Sequence, residues 1–370
     1  MTDKMIYQIG LTMIDGVGDV LARHLLESFG EAEAVFAEKQ RLLEKVPGIG
    51  SALVAKIRDP EVLKRAEKEA EFVSKNKIGV YFLADEGYPV RLRECPDAPV
   101  LLYYKGKADL NVARVISIVG TRNITDYGKE LTERLVKELS EAFPDVLIVS
   151  GLAYGTDVLA HRSALKNNLP TAAVLAHGLD RIYPSAHRNT AVEMLEQGGL
   201  LTDFPSGTNP DRPNFVMRNR IVAGLSDATV VVESAEKGGS LITANIALSY
   251  GRDVFSFPGR VTDTHSCGCN ALIRGNKAAL ITSAADLVSA LCWDAGGSPK
   301  KAAAETCLPF LDNAEDTDPI VSLLRKHGEI HVNQLAIAAD MPVHQLSPLL
   351  FELELSGVIK ALPGGVYRLV

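Results

Sequence analysis

Short apolar runs and longer amphipathic stretches alternate along the middle of the chain, from residue 113 to residue 293. The runs are rich in β-branched residues and most end in Gly, Pro or Ser; they read RVISIVG, DVLIVSG, TAAVLAHG, GGLLTDF, ATVVVES and RDVFSFPG. Most are separated by stretches with helical periodicity, such as residues 127–143 and 155–167. This alternation predicts an α/β fold with a Rossmann-like, doubly wound parallel sheet.

The first 75 residues have the periodicity of helices and repeat one short pattern. Each copy is a helix, a Gly–apolar–Gly turn and a second helix, with Val17 between the glycines of the first copy and Ile49 between those of the second. Glycine permits the positive φ that a tight turn needs, and we expect the apolar residue to pack inward. Residues 1–75 are therefore predicted to form a helical helix-hairpin-helix (SAM-like) domain.

Three segments flank the α/β region. Residues 76–110 are rich in proline and aromatic residues, which limits helix, and we interpret them as a connector belonging to the central domain. Residues 294–318 have the composition of a flexible linker. The last segment reads as three helices and then two strands around a Pro-Gly-Gly turn, which is typical of a winged helix. The predicted domains are 1–75, 76–293 and 319–370, with the linker 294–318 before the last.

The charge distribution limits where a nucleic-acid site could lie. The chain has 370 residues and a formal net charge of −7. Basic and acidic side chains number 11 and 13 in residues 1–75, 22 and 23 in 76–293, and 6 and 10 in 294–370. Because no domain is globally basic, a nucleic-acid site here has to be a focused local patch.

The cysteines and the apolar content bear on location and on metals. Five cysteines are an odd number without a disulfide pattern, which favours a reducing compartment. The N-terminus lacks the apolar region of a signal peptide, and no run reaches about 18 apolar residues, so we expect a cytoplasmic protein that does not enter the membrane. Cys267 and Cys269 lie near His265, but no second pair has zinc-ligand spacing, and we expect no metal.

Candidate binding residues concentrate where the predicted strands end. In open α/β sheets, ligands bind beyond the carboxyl ends of the strands. Glycines follow four of the predicted strands, and the free N–H groups of the helices that begin there favour anions. Arg122 adds a planar guanidinium that suits phosphate. The site residues predicted in these loops are Gly120, Thr121, Arg122, Ser150, Gly151, Gly155, Gly239 and Ser240.

A second candidate cluster lies in the sequence FVMRNRIVAGL. Arg218, Asn219 and Arg220 follow the aromatic Phe215, and phosphate clamps beside a stacking ring are what single-strand binding needs. An amphipathic helix with two surface arginines is the alternative interpretation.

Catalytic and cofactor motifs are missing from the sequence. There is no G-x-x-x-x-G-K-[ST] run and no G-x-S-x-G elbow, and the first βα turn is not G-x-G-x-x-G. We interpret Asp157 as a residue that holds its loop or caps a helix, and His161 as a packing or hydrogen-bonding residue. We therefore expect neither a cofactor nor enzymatic activity.

Together these stretches resemble the DNA processing protein A (DprA/Smf) family. The matching stretches span residues 80–280 and include ISIVGTRNITDYG, IVSGLAYGTDVLAHRSAL, AHGLDRIYPSAHR, FVMRNRIVAGLSDATVVVES and GGSLITANIAL. Departures are small: Gly238 stands where many relatives have Ser, Val216 stands where Pro is usual, and residues 202–205 replace a Ser-Glu-Tyr-Pro-like run. Both flanking domains fit the longer family members, so the resemblance spans the chain.

The resemblance implies a non-catalytic recombination mediator. Such proteins bind incoming single-stranded DNA, protect it and load the RecA recombinase in natural transformation, and they act as homodimers. The family's DNA pocket maps onto the predicted loops and onto residues 218–220. Arg122, Arg218 and Arg220 are then expected to follow phosphates while Phe215 stacks one base, which gives sequence-tolerant binding.

Other functions stay open at this point. The central domain also resembles the lysine-decarboxylase-like (LOG) phosphoribohydrolases, although residues 238–244 lack the glutamate of their Gly-rich loop. A double-strand DNA regulator is a third possibility, but the predicted recognition helix, 343–356, has no Lys or Arg and contains Glu352 and Glu354. Phosphates would repel such a helix, so we expect a protein-interaction surface there. For the two Gly–apolar–Gly hairpins, DNA contact and a structural role are equally open.

Overall fold

The structure is a computed structural model that describes residues 3–293, 319–362 and 365–369. Contacts between residues divide the chain into two units, Met1–Ala284 and Ala285–Val370. The predicted linker lies outside the described residues. Among the described residues, no helix has the length and apolar character needed to cross a membrane.

The N-terminal part of the first unit is helical and is called the helical module below. Val17 and Ile49 are buried in the two hairpins, as predicted. Gly48 has a φ of 86°, and a Cβ atom there would lie 2.7 Å from Leu21 Cδ2, so the second hairpin packs tightly against the helix that follows the first. The helices are α1 (Asp3–Thr12), α2 (Asp19–Phe29), α3 (Ala32–Ala37), α4 (Gln40–Leu43), α5 (Ser51–Ile57) and α6 (Pro60–Lys75).

A nine-stranded sheet forms the centre of the first unit. Its spatial order is β1-β2-β6-β5-β4-β3-β7-β8-β9, and all neighbours from β6 to β9 are parallel. The six predicted strands are β3 to β8. The strands are β1 (Gly79–Phe82), β2 (Leu101–Gly106), β3 (Val115–Val119), β4 (Leu147–Ser150), β5 (Thr171–Val174), β6 (Gly199–Thr202), β7 (Ala228–Val231), β8 (Asp253–Ser256) and β9 (Ala279–Leu280).

The segment interpreted as a connector contributes two of these strands, which corrects that interpretation. β1 pairs antiparallel with β2, and β2 pairs antiparallel with β6, so the sheet is mixed at this edge. Leu101 to Tyr104 are all buried, because β2 is covered on both faces. A strand in this position has a continuous apolar sequence and no alternation of apolar and polar residues. Phe82, Leu101 and Tyr103 share an apolar core with the helical module.

The helices that surround the sheet fall into two groups. They are α7 (Val90–Arg93), α8 (Asp126–Ala142), α9 (Thr156–Lys166), α10 (Arg188–Gln197), α11 (Arg212–Gly224), α12 (Gly239–Ser249) and α13 (Cys267–Arg274). The next helix, α14 (Ala284–Ala290), begins at the last residue of the first unit. Helix α9 contacts α8 and α10, whereas α11 contacts α12 and α7. The chain runs from β3 through β4 and β5 to β6, and then returns through α11 to β7 on the other side of β3. This reversal opens a crevice between the loops that follow β3 and β7.

The second unit contains the predicted winged helix. A three-stranded antiparallel sheet in the order β10-β12-β11 packs with three helices around Leu324, Leu335, Leu346 and Leu350. The short strand β10 was not predicted. The elements are α15 (Pro319–His327), β10 (Glu329–His331), α16 (Val332–Ala338), α17 (Val343–Leu355), β11 (Ile359–Leu362) and β12 (Val366–Leu369).

Candidate nucleic-acid interface

A cleft of about 670 Å³ lies at the reversal point of the sheet. Loops that follow β3, β4 and β7 form part of its wall, and α11 forms another part. The predicted site residues that line the cleft are Gly120, Thr121, Arg122, Gly151, Phe215, Arg218, Asn219, Gly239 and Ser240. Ser150, Gly155 and Arg220, which were also predicted, do not line it.

The loop after β3 is fixed by a buried carboxylate. Glu233 follows β7 and is 1% exposed; its two oxygens accept hydrogen bonds from Thr125 N at 2.9 Å and from Thr125 Oγ1 at 2.5 Å. The backbone N–H of Thr121 donates to Glu233 O at 2.8 Å. The turn is therefore anchored at both ends, and Arg122 lies exposed between these anchors.

Glycines in the first two loops are required because the loops pack against each other. A Cβ atom at Gly120 would lie 2.3 Å from Thr156 Oγ1. Gly155 has a φ of 76°, and a Cβ atom there would lie 2.2 Å from Thr121 O. Ser150 is fully buried and donates to Ile118 O at 2.6 Å. The packing of the two loops against each other thus accounts for glycine at positions 120 and 155.

Arg218 forms the floor of the cleft. It is 4% exposed, and its Nη1 donates to Gly151 O at 2.7 Å and to Val174 O. Burial lowers the pKa of Arg218, while the nearby Asp157 carboxylate favours its charged form. The buried Nε has no hydrogen-bond partner among the described residues, which leaves one donor beside the cleft. Arg218 therefore supports the β4 loop through Nη1, while its predicted contact with phosphate stays a prediction.

Asp157 and His161 have the supporting roles predicted for them. Burial raises the pKa of Asp157, and the nearby charge of Arg218 and the backbone N–H groups of Ala153 and Gly151 in its own loop oppose that shift. His161 is fully buried with Nδ1 2.7 Å from Thr171 Oγ1. Burial lowers its pKa to about 3, and the nearby Arg218 acts in the same direction.

The aromatic side of the cleft contains two rings. The ring of Phe215 is half-buried; its centroid lies 5.3 Å from Arg122 Cζ, 6.0 Å from Arg218 Cζ and 6.0 Å from the centroid of Tyr183. Both arginines therefore make cation–π contacts with Phe215. Tyr183 is 47% exposed. Tyr183, which sequence reasoning missed, is thus the more accessible ring for stacking.

Positive charge at the cleft comes from residues that the sequence only partly revealed. Arg122, Arg212 and Lys237 are exposed and line the cleft, and only Arg122 was predicted. Helix α12 begins at Gly239 without a side-chain cap, so its N–H groups and dipole also favour an anion. Asp157 is the one carboxylate among the lining residues of this cleft. The arrangement is suited to a polyanion.

Arg220 lies away from the cleft, which corrects its predicted contact with phosphate. Its side chain is 11% exposed, and Nη2 forms ion pairs with Asp19 Oδ2 at 2.8 Å and Asp203 Oδ2 at 2.7 Å. It also donates to Asp97 O. Residues 218 and 220 are two positions apart on α11 and point to different faces, because successive helical residues are rotated by about 100°.

The cysteines near His265 are engaged with the backbone. Cys269 is buried, with Sγ 3.8 Å from Val231 O and 3.7 Å from Val232 O, and Cys267 Sγ lies 3.1 Å from Thr264 O. No three His, Cys, Asp or Glu side chains in the described ranges are grouped so as to hold a metal ion.

The recognition-helix position of the winged helix carries an apolar and acidic surface. On α17, Phe351 is 62% exposed and Leu355 is 73% exposed. Glu352 and Glu354 are exposed beside them. Apolar side chains flanked by carboxylates are typical of a protein-binding surface rather than of a groove-reading helix.

These features define an α/β protein with a cation-lined cleft, flanked by two modules of the kinds used in nucleic-acid recognition. Family models match three parts of the chain: DNA recombination-mediator protein A over residues 79–292, DprA winged helix domain over 299–365, and SAM-like helix-hairpin-helix tandem over 9–59. The chain belongs to the DprA/Smf family of DNA recombination-mediator proteins.

Individual relatives are similar over much of the chain. Protein Smf of Synechocystis sp. is 30% identical over 98% of both chains. The X-ray structure of DNA processing protein A from Streptococcus pneumoniae is 32% identical, with a TM-score of 0.63 over 78% of this chain and 98% of that one. A structure of DNA processing protein A from Helicobacter pylori, described by its single-stranded DNA binding mode, is 29% identical, with a TM-score of 0.52 over 58% of this chain and 96% of that one.

Proposed function

We propose that the cleft binds single-stranded DNA and that the protein acts as a recombination mediator without catalysing a reaction. The observation that carries this proposal is the charge of the cleft. Three exposed cations, Arg122, Arg212 and Lys237, surround it together with the open N-terminus of α12, and its lining carboxylate is buried. Such a site attracts a phosphodiester backbone.

The same residues favour binding that tolerates any base sequence. Cations and backbone N–H groups contact phosphates, which all sequences share. The exposed ring of Tyr183 offers a platform on which any base can stack. An unpaired strand can present both its phosphates and its base faces to these groups, whereas the bases of a duplex are stacked on each other.

Nucleotide hydrolysis is less favoured by the residues of this cleft. A phosphoribohydrolase of the kind considered above needs a carboxylate that can act on its substrate. Asp157 is the carboxylate among the lining residues, and its oxygens accept hydrogen bonds from its own loop while burial raises its pKa. We therefore assign Asp157 to the support of the loop.

Equilibrium binding to matched single-stranded and double-stranded oligonucleotides tests the proposal. We expect tighter binding to the single strand and similar affinities for unrelated sequences. The same preparation should release no base from nucleoside monophosphates. Tighter binding to the duplex, or nucleotide turnover that is lost in an Arg122→Ala variant, would contradict the proposal.

Two partners belong to the same proposal. We propose that the protein loads the RecA recombinase onto the strand it holds, so RecA-dependent strand exchange should accelerate in its presence. We also propose a homodimer, for which β9 is a suitable contact because it ends the sheet and leaves Leu280 51% exposed. Light scattering should give twice the mass of one chain for the wild type. For the Leu280→Lys variant it should give the mass of a single chain.

A further inference from the structure

The segment between β6 and α11, residues 203–211, connects the helical module with the cleft. We call this segment the bridging loop. In its first half, Ser206 is hydrogen-bonded to Glu69 of the helical module. Asp203 is linked to the module indirectly, because its ion-pair partner Arg220 of α11 also pairs with Asp19. At its other end, Pro210 lines the cleft, and so does Arg212, the first residue after the loop. A contact made by the helical module is therefore a few residues away from a cation of the candidate binding site.

Glu69 of α6 makes the more specific of these contacts. It is 5% exposed, which is unusual for a glutamate, and its Oε1 accepts the Ser206 N–H at 2.9 Å. Its other oxygen accepts the Ser206 hydroxyl. Burial of a carboxylate is unfavourable unless it is hydrogen-bonded, and charge-assisted hydrogen bonds are the strong ones. Because both oxygens bind the same residue, Glu69 fixes the position and the orientation of Ser206.

A second contact fixes the start of the bridging loop. Asp19, the first residue of α2, accepts a hydrogen bond from Val100 N at 3.0 Å and one from Arg220 Nη2 at 2.8 Å. The same nitrogen of Arg220 lies 2.7 Å from Asp203 Oδ2. The helix that follows the first hairpin thus directs its N-terminal side chain at the α/β domain, in a structural contact.

The far half of the bridging loop is tied to the loop that carries Tyr183. Gly207 N donates to Asp180 Oδ1 at 3.0 Å, and Arg181 Nη1 donates to Asn209 Oδ1 at 2.6 Å. The cation Arg212 and the ring of Tyr183 therefore extend from two loops that are bonded to each other. Glu69 anchors this pair of loops to a helix of 16 residues.

We infer that the helical module braces the cleft: Glu69, by holding Ser206, sets the position of the bridging loop and so brings Arg212 to the bound strand. Glu69 is then a positioning residue for single-stranded DNA, although it does not line the cleft. The DNA part of this inference rests on the proposed function, whereas the ordering of the loop does not.

Four variants of the full chain separate this role from a general loss of stability. Glu69→Ala removes both acceptors. Glu69→Gln keeps an oxygen for Ser206 N and places an amide donor beside the Ser206 hydroxyl, so it should behave like the wild type. Ser206→Ala removes only the hydroxyl contact. Glu71→Ala is the matched control, because Glu71 lies on the same helix and is exposed.

Hydrogen exchange without DNA tests the ordering of the loop. Amides of residues 204–211 should exchange about ten-fold faster or more in Glu69→Ala, the equivalent of one charge-assisted hydrogen bond. Ser206→Ala should give a smaller increase, and Glu69→Gln and Glu71→Ala should give none. Unchanged exchange in folded Glu69→Ala overturns the brace. If Glu69→Ala does not fold, unchanged exchange in Ser206→Ala overturns the proposed bracing role instead.

Binding to a labelled single strand tests the positioning of Arg212. Glu69→Ala should weaken affinity about two- to ten-fold, the cost of ordering side chains that are no longer pre-positioned. The slope of log affinity against log salt should become shallower by about 0.7, the contribution of one phosphate contact. Arg212→Ala should give the same change in slope, and adding Glu69→Ala to it should cause little further loss.

The outcomes distinguish this inference from the proposed function. Faster exchange with wild-type affinity and slope in Glu69→Ala refutes the positioning role while leaving single-strand binding in place. Fully additive losses in the Glu69→Ala, Arg212→Ala double variant also refute it. If the wild type does not bind single strands, the proposed function and the DNA part of the inference fail together, and the exchange experiment still decides whether Glu69 orders the loop.

Discussion

Arg122 is the side chain whose replacement should affect DNA binding most directly. It is exposed, lies at the end of β3 between two anchored points, and faces the cleft. Removing one charge-assisted contact to phosphate costs about 1.5–3 kcal/mol, which is roughly ten- to hundred-fold in affinity. Solvent screening of an exposed group favours the lower end of that range. We therefore expect Arg122→Ala to bind single-stranded DNA about ten-fold more weakly.

The substitution should leave the fold intact, which keeps the test interpretable. The contact of Arg122 with another side chain is the cation–π contact with Phe215 at 5.3 Å, and an exposed contact of this kind contributes about 0.5–1 kcal/mol. The turn itself is held by the backbone of Thr121 and by Thr125 through Glu233. Thermal unfolding of Arg122→Ala should therefore be close to that of the wild type.

Fluorescence anisotropy with a labelled single strand at fixed salt measures the effect. Arg65→Ala is the control, because Arg65 is an exposed arginine on α6, outside the cleft lining. Arg122→Lys keeps the charge but loses the planar fork, and we expect an intermediate affinity. Wild-type affinity in a folded Arg122→Ala protein would refute the assignment of this cleft to the phosphodiester backbone.

Four further predictions follow from the same geometry. The salt dependence should be modest: three exposed cations, Arg122, Arg212 and Lys237, give a log–log slope of about −2 per protomer, and a salt-independent affinity would contradict the assignment. Tyr183→Ala should weaken binding more than Phe215→Ala does, because Tyr183 is the more exposed ring. The salt slope should change little in either variant, because stacking is not ionic. Wild-type affinity in both variants would exclude stacking. Deletion of residues 294–370 should leave single-strand affinity largely intact, since α17 presents Glu352 and Glu354, and a large loss would assign DNA contact to the tail. Burial lowers the pKa of His161 to about 3, so between about pH 6.5 and pH 3 the unfolded chain binds a proton at this residue that the folded chain does not. The contribution of His161 to stability is therefore full above about pH 6.5 and falls by about 1.4 kcal/mol per pH unit below it. Denaturant unfolding at one pH above and one below 6.5 should show a smaller loss of stability in His161→Gln than in the wild type.

Periodicity along the chain predicted most of the α/β fold and the place of the site. The six apolar runs are strands β3 to β8, and their loops meet because parallel strands end at one edge of a sheet. Strand β2 was missed because it lies in proline-rich sequence, outside the region where apolar runs alternate with helical stretches. The spacing of three between Phe215 and Arg218 indicates one helical face, and both residues line the cleft.

The remaining site residues could not be predicted from local patterns. Arg212, Lys237 and Tyr183 lie in or beside loops without periodicity, and they meet only because the chain reverses direction at β3. Arg220 was included because it is close in sequence to Arg218. Its spacing of two from Arg218 on one helix was the signal that could have separated them.

The arginines of α11 show how burial assigns different roles to identical side chains. Arg212 is exposed at the start of the helix and faces the cleft, Arg218 is buried beneath it, and Arg220 is buried on another face. An exposed guanidinium gives up little hydration until a phosphate arrives, so its charge is available for binding. A buried one is stable only with partners already in place, which for Arg220 are Asp19 and Asp203. The chain can therefore be acidic overall and still present a cationic cleft. Carboxylates such as Asp19 and Asp203 pair with the buried Arg220, whereas the charge of the exposed Arg212 stays available for the ligand.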